Sequence, residues 1–180
     1  MIFENQNKAI EAYINAKDAN KPHLIKRAFT DSANLKMSVK TDSISFPADT
    51  IGRDAITELL VRNFSQSYEN VYTFCVIDSF LSIQTNVRCD WLVCMTERDS
   101  GNVRVGVGQY DWGFVNEPNT LANSLLITIE QMLVLPPANY DAVMAWADGL
   151  SYPFCGVEQL LTTIPDEDAL APIRDFFNKK

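Results

Sequence analysis

One histidine, His23, stands in the chain, so any nucleophilic triad built on a Ser–His or Cys–His pair depends on that ring. It follows Pro22 at the start of a helical segment, a surface position. Proton transfer near neutral pH then falls to carboxylic acids whose pKa is raised by burial, with a tyrosine donating a hydrogen bond to a developing oxyanion. Asp78, Asp90, Asp111 and Glu130 each interrupt an otherwise apolar strand pattern, where an unpaired buried charge is costly. Alternation sets Arg88, Asp90, Leu92 and Cys94 on one face and Cys89, Trp91, Val93 and Met95 on the other. The Arg88-x-Asp90 spacing lets a guanidinium hold its neighbour ionised, and the competing reading is a solvent-facing ion pair. On the first reading Asp90 is the proton acceptor, Arg88 its orienting partner or an anion clamp, and Tyr110 the hydrogen-bond donor. Antiparallel neighbours lie about 4.8 Å apart, close enough for two strands to serve one bound group.

Positioning such groups takes elements whose periods can be read directly. Ile10, Tyr13 and Ile14 recur at helical spacing within 5–19, and Pro22 opens a second helix carrying Leu24, Ile25, Ala28 and Phe29 to about Thr30-Asp31. Leu35, Met37 and Val39 then alternate with polar residues as a strand, and a turn at Thr41-Asp42 predicts a hairpin with 43–46. Gly52 and Asp54 open a third helix with Ile56, Leu59, Leu60 and Phe64 on one face. Four strands are expected at 70–82, 86–97, 102–116 and 124–135, joined by turn chemistry as an antiparallel meander. Helices return after Pro136-Pro137 at 140–150 and 166–178. Gly106 and Gly108 in one strand predict a bend or bulge that can swap its faces midway.

The chain has 180 residues, 47% of them hydrophobic, which suits one domain with a real core. Its 15 basic and 23 acidic residues give a formal charge of −8, the wrong sign for a general nucleic-acid or anionic-membrane surface. No secretory leader or membrane-length apolar run stands out, so the expected compartment is the cytoplasm. Cys75, Cys89, Cys94 and Cys155 form no C-x-x-C pair and read as reduced, buried thiols. With one histidine and no Gly-rich phosphate loop, no metal or nucleotide cofactor is expected.

Helices first and a long curved antiparallel sheet after them make an α+β layout. Three segments carry a resemblance: Phe29-Thr30-Asp31-Ser32-Ala33, Gly52-Arg53-Asp54-Ala55-Ile56, and Gly108-Gln109-Tyr110-Asp111-Trp112-Gly113-Phe114. In their order the chain resembles the nuclear transport factor 2-like superfamily, particularly its SnoaL-like branch, over roughly 5–135. The resemblance implies a cone-shaped, cystatin-like fold with N-terminal helices on a bent sheet, leaving 136–180 as a C-terminal helical extension of the same domain. It implies a pocket inside the cone, frequent homodimers, and functions from isomerases, dehydratases and cyclases to binding proteins without chemistry. Isomerases of the superfamily pair a pocket carboxylate with a tyrosine, and its epoxide hydrolases place an Arg–Asp pair there. The tyrosine position corresponds to Tyr110, but the acid often found two residues later is here Trp112.

Two readings therefore stand at this level. In the first, a small apolar or mixed-polarity ligand enters a pocket lined by Arg88, Asp78, Trp112, Glu130 and Tyr13, with Asp90 and Tyr110 supplying carboxylate-based isomerase, dehydratase or cyclase chemistry. In the second, the strand carboxylates are all solvated and the protein is a non-catalytic dimerising or binding module. Strands 86–97 and 124–135 carry large apolar residues on both faces, while one helical layer covers only one. Either the extension or a second subunit must cover the other, and a homodimer is the expectation.

Overall fold

A computed structural model describes residues 2–179. Helix α1 (Ile2–Asp18) presents Ala9, Ile10, Tyr13, Ile14 and Ala16 to the interior, the stripe that its spacing predicts. Pro22–Arg27 forms a 3-10 turn in place of the expected second α-helix, because strand β1 (Phe29–Val39) already begins at Phe29. The hairpin partner is not 43–46: residues 40–48 form a longer connection to a short strand β2 (Asp49–Ile51) that pairs antiparallel with β1. The third helix comes as α2 (Arg53–Thr57), a π-helical stretch (Glu58–Asn63) and α3 (Phe64–Ser67).

The remaining strands are β3 (Tyr68–Val76), β4 (Leu81–Ile83), β5 (Asn86–Glu97), β6 (Val103–Val115), β7 (Leu121–Leu135) and β8 (Phe154–Cys155). They form one sheet in the order β2-β1-β7-β6-β5-β3-β8, with β4 on β5. The meander from β5 to β7 is antiparallel as expected, whereas β1 joins β7 in parallel. Helices α4 (Tyr140–Gly149), α5 (Val157–Thr163) and α6 (Ala171–Asn178) complete the chain. Among the described residues no helix is long and apolar enough to cross a membrane.

Two cores flank the sheet. Inside the bend, α1 and α2 pack on Cys89, Trp91, Val93 and Met95 of β5 and on Tyr110, Trp112 and Phe114 of β6. Outside it, Val143, Trp146, Leu160, Ile173 and Phe177 cover Leu92, Cys94, Val105 and Val107. The extension is thus the cover that the outer face of β3, β5 and β6 needs. The bulge lies one strand from its expected place. Val107 pairs with Gln131 and Gly108 with Ile129, so Glu130 of β7 is the extra residue. Faces swap there: Leu125, Ile127 and Ile129 point inward before it, Met132 points inward after it, and Leu133 and Leu135 turn to the outer core. Gly108 permits the close approach, because a Cβ there would overlap the Thr128 carbonyl and the Trp91 ring.

Candidate ligand site inside the cone

Three aromatic residues build the floor of the cone. Tyr110 stacks on Trp91 with ring centroids 5.7 Å apart, and Tyr13 of α1 meets Tyr110 edge-on at 5.9 Å and Trp112 at 5.4 Å. Alternation along β5 and β6 delivers Trp91 and Tyr110 to one face, and helical spacing lowers Tyr13 onto them. Beyond them lies a cavity of about 50 Å³, bounded by Met37, Met95 and Met132 and by Ile44 and Phe46 from the 40–48 connection. The connection is tied down at Ser43, whose carbonyl accepts from Arg104 Nη1 at 2.7 Å and whose hydroxyl donates to the Met132 carbonyl at 2.6 Å. Glu97 holds Arg104 in turn at 2.6 Å, and hydrogen bonds from Ser100 and Arg104 keep the Glu97 carboxyl below its ordinary range.

The charged group in this cavity comes from the helix. Lys17 stands four residues after Tyr13, hence on the same face, and is only 6% exposed. Its Nζ donates to Asp18 Oδ1 at 2.8 Å and to Thr73 Oγ1 at 2.6 Å, and sits 4.8 Å from the centre of the Phe64 ring. Asp18 is equally occupied. Thr73 Oγ1 donates to its Oδ1 at 2.9 Å, and its Oδ2 accepts from Thr73 N–H at 2.7 Å and Tyr152 O–H at 2.9 Å. This is a buried ion pair with its lone pairs satisfied, the condition under which such a pair is tolerated.

Burial raises the phenols of Tyr13 and Tyr110 well above the ordinary range. Both therefore remain protonated donors at neutral pH. Trp91 also lines the cavity, and its indole N–H, like that of Trp112, has no hydrogen-bond partner among the described residues. The arrangement can present donors to a bound acceptor atom. Among the described residues no carboxylate or imidazole lines the cavity.

The residues first singled out from the sequence divide accordingly. Tyr13 and Tyr110 line the cavity, and Trp112 is packed beneath them between Tyr13 and Phe114. Asp90 is 2% exposed but lies on the outer face, opposite Gln109 in the ladder, while Tyr110 pairs with Cys89 and faces inward. The expected meeting of Asp90 and Tyr110 on one ligand atom is thereby corrected: the sheet itself separates them. Gln109 Nε2 donates to Asp90 Oδ1 at 3.3 Å. Arg88 is not the partner of Asp90 either. Its Nε donates to Asp111 Oδ1 at 2.6 Å across the ladder, on the outer face.

Asp78 and Glu130 likewise leave the pocket. Asp78 Oδ2 accepts from the Val157 N–H at 2.7 Å and so satisfies the first turn of α5. Glu130, on the bulge, pairs with Lys40 at 2.9 Å. His23 is exposed in its 3-10 turn and all four cysteines are buried free thiols. Lys17 and Asp18 were missed because they stand at the end of their helix beside Asn20, where a charged pair ordinarily marks solvent. The available signal was the step of four from Tyr13 to Lys17.

No protein-family model matches the chain, and no curated protein does. Solved structures do match. A hexachlorocyclohexane dehydrochlorinase (LinA, type 2) superposes with a TM-score of 0.61 at 9% identity, over 74% of this chain and 88% of that one. A scytalone dehydratase-like protein from Novosphingobium aromaticivorans gives 0.56 at 11% identity, over 74% and 91%. A protein with a ketosteroid isomerase-like fold from Catenulispora acidiphila, in complex with trimethylamine, gives 0.53 at 12%, over 67% and 83%. At these identities the likeness is one of fold. The chain has the conical nuclear transport factor 2-like fold, and solved structures that share it include a dehydrochlorinase and dehydratase-like and isomerase-like proteins.

Proposed function

We propose that this chain is a small-molecule-binding protein whose ligand, compact and largely apolar, sits inside the cone over Trp91 and Tyr110. The observation that carries the reading is a small, largely apolar cavity whose lining also includes a buried, ion-paired lysine and a tryptophan with its indole N–H left without a partner. Buried polar groups are almost always satisfied, so an orphaned donor beside empty space points to something that fills the space. The isomerase-like, dehydratase-like and dehydrochlorinase neighbours make a cone site a sound expectation for this fold. Their chemistry needs more. Isomerisation or dehydration requires a proton acceptor at the ligand, and the nearest carboxylate, Asp18, already accepts from Lys17, Thr73 and Tyr152. The reading is therefore binding without a reaction of its own.

Fragment titration followed by protein NMR tests it. Ligands of the cone are expected to shift Trp91 Nε1–H and the Met95 and Met132 methyls, and Ile129→Phe, which fills the cavity, is expected to abolish those shifts in a folded protein. Shifts confined to surface residues, or unchanged by Ile129→Phe, would refute it.

The partner in this reading is a second copy. The half of the outer face that the extension leaves open carries Ile51, Leu81 and Ile83 at 70%, 55% and 61% exposure. A groove of about 750 Å³ runs between them, lined by Lys36, Arg88 and Asp111 among others. Both charge signs on one face suit a two-fold contact, in which each patch meets itself. Sedimentation equilibrium should give a dimer that Leu81→Lys/Ile83→Lys splits. A monomer at tens of micromolar would count against it.

A further inference from the structure

We propose that the head group this cone receives is a carboxylate, and that its ligand is a short-chain aliphatic carboxylic acid. The inference rests on the cone reading above and adds the chemistry of the polar end. Counting hydrogens gives the head group. Lys17 has three N–H bonds, of which one goes to Asp18 and one to Thr73, leaving one. The Tyr13 and Tyr110 rings meet edge-on at 5.9 Å, and each brings a hydroxyl proton. The Trp91 indole N–H has no partner among the described residues. Lys17, whose ammonium also lies against the Phe64 ring, the two tyrosines and Trp91 all line one small space with no side-chain carboxylate, amide or imidazole among the described residues lining it.

A ligand amine or ammonium would add donors to donors. A neutral carbonyl oxygen has two lone pairs and cannot serve all of these donors, whereas a carboxylate has about four acceptor positions and accommodates more of them. Its bonds to Lys17 are also charge-assisted, the strong class. The ion pair already present does not cancel this attraction, because Asp18 is drawn away from the cavity by the Thr73 N–H and by Tyr152 from the extension, at 2.7 and 2.9 Å. Lys17 is held in place by those bonds and keeps a hydrogen to offer.

Size sets the tail. About 50 Å³ is less than the share of two waters in liquid water and must take the head group as well, so the wall has to yield and the apolar part has a few carbons at most. Met37, Met95 and Met132 border the space, and their unbranched side chains can give way by that much.

The test is calorimetric and NMR titration of the full chain with isobutyrate, isobutyramide and isobutylamine, three molecules that share a branched tail and differ at the head. Isobutyrate is expected to bind at least about tenfold more tightly than the amide, with no binding of the amine. Lys17→Met should bring the acid-to-amide ratio to about one. If that variant does not fold, Trp91→Phe carries the test, since it removes a single donor and should narrow the ratio severalfold. Equal affinities for acid and amide, or a preference for the amine, would overturn the carboxylate while leaving the cone reading intact. No binding of any of the three, with other fragments also failing to shift Trp91, would remove the cone reading and this inference with it.

Discussion

The two faces of β5 handle polar groups in opposite ways. On the inner face the strand contributes Cys89, Trp91, Val93 and Met95, and the charge is brought in by a helix, as Lys17 with Asp18. On the outer face the strand carries its own charges, Arg88 and Asp90, and they serve structure: Arg88 bonds Asp111, and Asp90 takes a bond from Gln109 while its N–H donates to Ser79 Oγ at 2.8 Å. A carboxylate in an apolar strand is therefore no guide to a cavity. What separates the two faces is where the charge points. Outside, Arg88 and Asp90 each bond a residue of the neighbouring strand, and inside the Lys17 ammonium lines a cavity.

The largest test of this contrast is Lys17→Met. It leaves the Asp18 carboxylate buried without its cation, for which about 3 to 5 kcal/mol is usual, and the three hydrogen bonds that Asp18 keeps should hold the loss near the lower figure. Urea unfolding reads it. Gly108→Ala should cost about 1 to 3 kcal/mol or more, because the added methyl overlaps the backbone of β7 at the bulge and the Trp91 ring. Asp78→Ala should cost about 1 kcal/mol by removing the bond to the first turn of α5, and hydrogen exchange in 157–163 should rise more than in β5.

Asp111→Asn, which breaks the half-exposed pair with Arg88, should change stability by no more than about 1 kcal/mol. Asp90→Asn should leave ligand affinity at the cone unchanged, and a loss of affinity would break the separation of faces. Alkali acts on the inner face through its buried phenols. The phenols of Tyr13 and Tyr110 have folded-state values raised above the ordinary 10.0, so their contribution is complete below that pH and is lost as the pH climbs past it, when the unfolded chain ionises its tyrosines first. Unfolding free energies measured on either side of pH 10 should fall with rising pH, and Tyr110→Phe should flatten the slope.

Much of this architecture is legible in the amino-acid sequence where the signal is local. Helix α1, the opening of the third helix at Gly52 and the strand pattern of β5 and β6 are read from side-chain period, which neighbouring residues impose. Arg88 shows where locality fails. It lies two residues from Asp90 on its own strand, about 6.6 Å along the chain, but its directly paired neighbour across the ladder is Asp111, nearer at about 5 Å. Register is a long-range property, and no spacing rule within one strand supplies it. The same holds for the bulge. Gly106 and Gly108 announce a distortion in β6, yet the extra residue is Glu130 on the strand opposite, because the space the glycines leave is filled by Met132 and Trp91. Helix α5 gave little signal, since its first turn depends on Asp78 far upstream.

The π-helical stretch of Glu58–Asn63 bears on all that follows it in the helix. A π turn holds one more residue than the α-helical ladder has room for, and each residue of an α-helix advances the rotation by about 100°. Phe64, the next residue, therefore owes its orientation to that surplus, and it is Phe64 whose ring lies against the Lys17 ammonium. Leu60, within the π turn, borders the cavity as well. Removing one residue from 58–63 would let the helix run as a regular spiral and swing Phe64 aside by roughly a quarter turn. The pocket's electrostatics would then change through a shift in phase, with every side chain that touches a ligand still in place.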